Sequence, residues 1–165
     1  MKQSILQLDH YTFVDFSVKC NLAAELEDMP DAFHVDDLEF SLEQFDVAQE
    51  EGEPRRATIK LNVKSKSEDI SKDSFGSFYS INIEVIGYLA FTDEAPDGYK
   101  EDPVNADKVL VFNGANILYG LMRDRLESIT ASMPWGRAIL PLATFDGLVK
   151  TNVTQSEAEP QKAAQ

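Results

Sequence analysis

The sequence predicts an α+β fold in which a four-stranded antiparallel sheet is followed by a long amphipathic helix and a short C-terminal element. Three observations support it: four stretches alternate between apolar and polar residues, polar loops connect them, and one helical pattern follows them all. Because consecutive strands joined by short loops form a meander, we expect an antiparallel sheet.

The first two strands are expected at residues 11–20 and 38–47, where apolar residues alternate with polar ones. The apolar face of the first strand is formed by Val14, Phe16, Val18 and Cys20. In the second strand, Phe45 and Val47 fall on the acidic face, which indicates a bulge near Gln44. Both strands should bury one face and expose the other.

The third and fourth strands are expected at residues 57–65 and 75–91. The fourth is apolar along one face, and its other face also becomes apolar near the end, at Ile86, Tyr88 and Ala90. A strand that is apolar on both faces needs cover on both. Since one helix covers only part of one sheet face, the remaining apolar surface indicates self-association.

A long helix is expected to begin at Pro103, with Asp102 as its N-cap, and to end at about Ser132. Its apolar stripe consists of Leu110, Ile117, Leu118, Leu121, Met122, Leu126 and Ile129. A break at Pro134 and Gly136 follows, and then a short apolar segment. This segment is the expected C-terminal element.

Two glycines and a tryptophan near the helix allow two interpretations each. Gly114 and Gly120 lie within the helix, where each costs roughly 1 kcal/mol relative to alanine. They either carry no structural meaning or allow another backbone to approach closely. Met133 and Trp135 form an apolar bend after the helix. Trp135, the only tryptophan, is either a core anchor or one wall of a peptide groove.

Length and composition indicate one folded domain at residues 1–150, followed by a disordered polar tail at residues 151–165. The net charge of −14 disfavours nucleic acids and anionic membranes as partners. The single cysteine, Cys20, cannot form an intrachain disulfide and is typical of a reducing compartment. Lys2 is not followed by the apolar segment of a signal peptide, and no stretch reaches the roughly 20 apolar residues of a membrane helix. We therefore expect a soluble, cytoplasmic protein.

The sequence contains no pattern that indicates catalysis or metal binding. His10 and His34 lie outside any metal-ligand spacing, and Cys20 is expected in the core at a strand end. Acidic pairs such as Glu50-Glu51 are too common in so acidic a chain to indicate acid–base chemistry. Nucleotide-binding and nucleophile-elbow motifs are absent. We expect no catalytic residue, no metal and no cofactor.

A series of short motifs runs through residues 11–149. Its members are Tyr11-Thr12, Asp15, Ser17, Asn116-Ile117-Leu118-Tyr119, Arg123-Asp124, Ser128-Ile129-Thr130, Trp135, Leu140-Pro141 and Phe145-Asp146. In order and spacing, these motifs resemble the SecB family of protein-export chaperones.

The resemblance implies a sheet and long helix assembled as a homotetramer, a dimer of dimers. It implies a chaperone that holds non-native polypeptides in apolar grooves without nucleotide, for export through the Sec pathway. The residues that would line the groove are Phe40, Leu42, Met133 and Trp135. Asp15 and Glu84 would face the translocase motor SecA.

Two features depart from the family pattern. Lys19 stands where the family usually has an acidic residue, and the segment after Phe145 is a poor helix where the family has a second one. SecB-like chaperones also serve toxin–antitoxin systems, so an antitoxin is an alternative partner to SecA. Two further classes stay open: an adaptor with one fixed partner, and a thioesterase-like enzyme of the hotdog fold, which usually places its helix before most of its strands.

Overall fold

The computed structural model describes residues 5–22, 32–46, 53–66, 77–92, 95, 98 and 103–145. Within them the chain forms β1 (Leu6–Cys20), a short 3₁₀ turn (Val35–Asp37), β2 (Leu38–Asp46), β3 (Arg56–Ser65), β4 (Tyr79–Phe91) and α1 (Pro103–Thr130). The strands form one antiparallel sheet, and the helix follows all four. The predicted α+β fold is confirmed.

The order of the strands in the sheet is β1-β4-β3-β2, so the expected simple meander is wrong for β1. Strands β2, β3 and β4 do pair in sequence, but β1 lies beside β4. β4 thus has a neighbour on each side and is an interior strand, as is β3. The two edges of the sheet are β1 and β2.

Strand β1 begins five residues earlier than predicted, and its register with β4 shifts twice, between Leu8 and His10 and between Phe13 and Asp15. Each shift leaves one extra residue in β1, which reverses the faces of the side chains that follow. Val14 is the extra residue at the second shift and is 54% exposed. The prediction that Val14 shares the apolar face is therefore wrong.

The bulge predicted near Gln44 is absent from the pairing of β2 with β3, which runs without a shift from Leu38–Ser65 to Asp46–Ala57. Phe45 stays on the outer face of the sheet and is 46% exposed. Val47 lies outside the described residues. The register of β2 thus follows its inward apolar residues, and Phe45 is left in solvent.

The core lies between α1 and one face of the sheet, the inner face. Its fully buried aliphatic side chains include Ile59, Leu61, Ile83 and Leu89 of the sheet and Leu110, Leu118 and Met122 of the helix. Ile117, expected in the apolar stripe, is exposed because it lies one residue, about 100° of helical turn, before the buried Leu118.

Two glycines allow the helix to lie close to the sheet. A Cβ atom on Gly114 would come within 2.5 Å of Ile59 Cδ1, and one on Gly87 within 2.6 Å of Leu118 Cδ2. The atoms that approach Gly114 are side-chain atoms of Ile59 and Leu89 in the sheet of the same chain, not another backbone as suggested. A Cβ on Gly120 would meet nothing within 4 Å.

An ion pair holds the start of α1 near the sheet. The Arg55 guanidinium donates to both carboxylate oxygens of Asp107, from Nε at 2.5 Å and from Nη2 at 2.6 Å. Asp102, the expected N-cap, lies outside the described residues, as do residues 146–165 with the predicted tail and the poorly helical segment.

Candidate functional site

Phe40 and Leu42 lie on the inner face of β2, at the edge of the sheet, and both are half-buried. The Phe40 ring packs against Tyr119 of α1 and against Phe145, with ring centroids 6.0 and 6.1 Å apart. Tyr119 and Phe145 complete the group at 5.4 Å in an edge-to-face arrangement. β2 thereby contributes to an apolar margin where sheet and helix meet.

Met133 and Trp135 lie in the turn that follows α1, and both are half-buried. The Trp135 ring packs edge-to-face on Phe78, and its Nε1–H donates to the Asn21 carbonyl at 2.9 Å. Trp135 is therefore attached to the chain just beyond β1. It combines partial burial with a specific hydrogen bond.

Two of the four expected groove residues, Phe40 and Trp135, make separate aromatic contacts. Phe40 belongs to the aromatic group with Tyr119 and Phe145, whereas Trp135 packs on Phe78. All four, Phe40, Leu42, Met133 and Trp135, are partly buried residues at the border of one apolar core.

Between Trp135 and the end of the described chain, residues 136–145 form neither helix nor strand; we call this segment the strap. Four of its backbone carbonyls accept hydrogen bonds from other parts of the fold. The pairs are Tyr79 Oη to Gly136 O (2.8 Å), Phe33 N to Ile139 O (3.1 Å), Arg123 Nε to Leu140 O (3.1 Å) and Tyr119 Oη to Pro141 O (2.7 Å). The main chain of the strap thus contributes four hydrogen-bond acceptors to its attachment.

Tyr119 and Arg123 stand one turn apart on α1, so both side chains reach the strap. Burial raises the pKa of Tyr119 to about 12, although Arg123 acts in the opposite direction. The hydroxyl therefore stays protonated and able to donate near neutral pH. Sequence reasoning assigned no role to these residues, although their i, i+4 spacing indicates a shared face.

Asp15 and Glu84 lie opposite each other in β1 and β4, on the outer face of the sheet away from α1. The Asp15 carboxylate accepts a hydrogen bond from Asn82 Nδ2, and Glu84 pairs with Lys60 Nζ at 3.2 Å. Lys19 occupies the same face, opposite Ser80. The three residues of the expected partner face are thus on one surface.

The outer face is nearly balanced in charge, unlike the protein as a whole. Its acidic residues by register are Asp15, Glu39, Glu43 and Glu84, and its basic residues are Lys19, Arg56, Lys60 and Lys64. Lys64 pairs with Glu39 at 2.7 Å, and Lys60 also approaches Glu43 at 3.8 Å. Much of the acidity of the protein therefore lies away from this face.

An aromatic row crosses the other end of the outer face. Tyr88 of β4 stacks on His10 of β1 with ring centroids 6.0 Å apart, and Thr58 and Phe45 continue the row across β3 and β2. Tyr88 is 44% exposed and Phe45 46%. Of the expected two-sided apolar end of β4, Ala90 is buried while Tyr88 is accessible.

Across the described ranges, no group of three or more His, Cys, Asp or Glu side chains is arranged to hold a metal ion. Within the same ranges, no helix is both long enough and apolar enough to cross a membrane. Cys20 is a free, half-buried thiol at the end of β1.

The likeness of this chain to known proteins lies in its fold. No family model and no curated protein matches the chain. A solved structure of a Streptococcus agalactiae protein of unknown function is 11% identical, with a TM-score of 0.50 over 83% of this chain and 97% of that one. A SecB-like chaperone of Mycobacterium tuberculosis, solved with an antitoxin peptide, is 10% identical, with a TM-score of 0.42 over 84% of this chain and 91% of that one. The streptococcal likeness concerns the fold alone, and the mycobacterial one is too weak to support an inference about function.

Proposed function

We propose that this protein is a SecB-like, ATP-independent cytoplasmic holdase that binds unfolded polypeptides. The observation that carries the proposal is that four apolar side chains, Phe40, Leu42, Met133 and Trp135, pack against the core while remaining partly exposed. Aromatic and methionine side chains at partly open positions suit the binding of varied apolar sequences. The proposal assigns no catalytic step and no cofactor.

The net charge supports the same function. A holdase must expose apolar surface to its clients without aggregating, and a charge of −14 on each chain opposes association between loaded chaperones. Because the outer sheet face is nearly neutral, the repulsion comes mainly from the rest of the surface. Clients of basic or neutral character should therefore approach most readily.

The direct test is suppression of aggregation. An unrelated protein is diluted from denaturant into buffer without nucleotide, and light scattering is followed with and without an equimolar amount of this chain. We expect scattering to fall. If scattering is unchanged for several unrelated clients, the holdase proposal is wrong.

Delivery is proposed to use the outer face at Asp15 and Glu84, with either SecA or an antitoxin as the partner. Both carboxylates share this surface, which supports a docking role, but Lys19 on the same face reduces the acidity that a SecA-type contact would use. A titration of each purified partner candidate against the client-loaded protein separates the export role from the antitoxin role.

We further propose that the chain assembles as a homotetramer, a dimer of dimers. Its support is the apolar surface left uncovered on one chain, including Val104 and Ile117 of α1. A helix with exposed apolar residues away from its own sheet favours association. Light scattering at micromolar concentration should give the mass of four chains, and a monomeric mass would contradict the proposal.

A second candidate function is that of an adaptor domain with one fixed partner. The aromatic row that includes His10, Tyr88 and Phe45 favours it, because an accessible patch on an otherwise polar sheet suits a specific interface. Tyr88→Ala distinguishes the candidates: it should leave suppression of aggregation unchanged in a holdase and abolish partner capture in an adaptor.

A further inference from the structure

The strap is held in the way that an extended foreign peptide would be held. Four of its carbonyls accept hydrogen bonds, and the donors come from β4, from Phe33 just before β2 and from two positions of α1. Every polypeptide carries the same carbonyl groups. Donors such as Tyr119 Oη and Arg123 Nε therefore select an extended backbone and not a particular sequence.

Residues 138–140 of the strap follow the pattern of an extended ligand in a groove. Ala138 and Leu140, two residues apart, are fully buried, and alternate insertion of apolar side chains is how grooves that bind extended peptides gain affinity. The alternation ends after Leu140, because Leu142 is 83% exposed. Phe145 is fully buried again and forms a separate anchor.

The strap does not belong to the sheet ladder that stabilises the rest of the fold. It pairs with no strand over the described residues, and Pro141 has no N–H with which to extend such a ladder. It is attached instead by side-chain donors, by the Phe33 amide, by its own Ala138 amide to Thr130 Oγ1 and by the Arg137–Glu127 ion pair. Three of its side chains, Ala138, Leu140 and Phe145, are also buried in the core. Its departure would therefore break no backbone hydrogen bond within the sheet or the helix.

We propose that the strap is an internal occupant of the peptide-binding groove and that a client takes its place. The client would be an extended polypeptide whose carbonyls accept hydrogen bonds from Tyr119 Oη and Arg123 Nε. Its apolar side chains would enter the positions vacated by Leu140 and Phe145. This inference rests on the proposed holdase function and specifies how the groove binds a client.

An internal occupant has two physical consequences. It covers the groove in the absence of a client, so that apolar surface is not exposed to other chains. It also lowers the apparent affinity for clients by the fraction of molecules whose groove is open, and weakening the strap should raise that affinity.

Hydrogen–deuterium exchange provides the test in the unmodified protein. The probe is a reduced and carboxymethylated protein that stays unfolded, added at saturating concentration. We expect exchange in peptides covering residues 136–145 to accelerate severalfold when the probe binds, while exchange in β3 and β4 stays unchanged. Unchanged or slower exchange in residues 136–145, with the probe demonstrably bound, would overturn the inference.

A matched pair of strap variants gives an independent readout. Leu140→Ala removes a buried anchor of the strap, so it should bind the same probe about tenfold more tightly because the groove is open more often. Leu142→Ala changes an exposed leucine of the same segment and should bind as the parent does. Equal or weaker binding by a folded Leu140→Ala variant would count against displacement.

Tyr119→Phe covers the case in which Leu140→Ala does not fold, because it removes only the hydroxyl that reaches Pro141. It should accelerate exchange of the strap without a client and yet fail to improve binding, since the same hydroxyl would serve the client. Tighter binding by this variant would contradict the claim that the Tyr119 hydroxyl donates to the client as well as to the strap. If the parent binds no probe and suppresses no aggregation, the proposed function itself has failed; if it does both while the strap stays protected, only the displacement has failed.

Discussion

Asp15 of β1 lies directly opposite Glu84 of β4, so two carboxylates occupy one cross-strand position of the outer sheet face. Like charges at such a position destabilise a sheet unless they are compensated. Here Asn82 donates to Asp15, and Lys60 lies 3.2 Å from Glu84. The pair is therefore a compensated acidic site, which makes its neighbours good points for testing stability and partner binding.

Lys60→Met should reduce the stability of the sheet, because it removes the cation between Glu84 and Glu43. We expect a loss of about 0.5–1 kcal/mol in the free energy of unfolding at low salt, smaller at high salt because screening weakens the carboxylate repulsion. Urea unfolding at two salt concentrations measures both effects. Lys64→Met is the matched control on the same strand and face, where both partners are more exposed; if its effect equals that of Lys60→Met, the compensation is not specific.

Lys19→Glu should strengthen any binding of SecA, if the outer face serves delivery as proposed. The substitution restores an acidic residue on the face that carries Asp15 and Glu84. Titration of SecA by calorimetry should then show a lower dissociation constant, with client binding unchanged. No change in SecA affinity, with client binding intact, would point to another partner such as an antitoxin.

Gly114→Ala and Gly120→Ala should change stability in opposite directions. Alanine in a helix is favoured over glycine by roughly 1 kcal/mol. At Gly120 the new methyl group meets nothing within 4 Å, so the free energy of unfolding should rise. At Gly114 the methyl group would meet Ile59 at 2.5 Å and Leu89 at 3.0 Å. Overpacking there should lower the free energy of unfolding by about 1 kcal/mol or more. Thermal unfolding measures the stability of both variants. If both are more stable than the parent, the side chains of Ile59 and Leu89 move aside without cost and the prediction for Gly114 is wrong.

The only tryptophan, Trp135, should report client binding through its fluorescence. Its ring is half-buried against Phe78 and its Nε1–H is bonded to Asn21, so a change at the bend alters its surroundings. We expect a shift in emission on addition of an unfolded client. Trp135→Ala should weaken client binding more than it weakens folding if the bend lines the groove; equal losses in both would make Trp135 a core anchor.

The stability of the protein should fall as the pH rises through the range from about 10 to 12. The folded-state pKa of Tyr119 is raised to about 12 by burial, whereas an unfolded tyrosine titrates near 10. Below pH 10 both states are protonated and the contribution is complete; above it the unfolded state loses its proton first, which favours unfolding. Urea unfolding between pH 8 and 11.5 should show a shallower decline for Tyr119→Phe. Parallel declines would assign the dependence to other groups, such as Tyr79, whose pKa is also raised by burial.

The sequence by itself determined the elements and their order. Alternation predicted all four strands within a few residues at most ends, and the 3.6-residue period predicted α1 from Pro103. It also placed Asp15, Lys19 and Glu84 on one face, through resemblance and strand alternation. These are local patterns, and a local pattern is sufficient because each strand or helix repeats its own geometry.

Only the tertiary structure decided which strands are neighbours and which residues contact the strap. β1 pairs with β4, which lies far from it in the chain, and the register shifts at Asp9 and Val14 depend on that pairing. The hydrogen bonds from Tyr119 and Arg123 to the strap also join residues that are separated in the chain. A backbone carbonyl carries no sequence signal, so the hydrogen bonds that the strap accepts could not be predicted from its apolar side chains. The bend at Trp135 was predicted from the sequence. The attachment of the strap that follows it depends on hydrogen-bond donors that only the fold brings close.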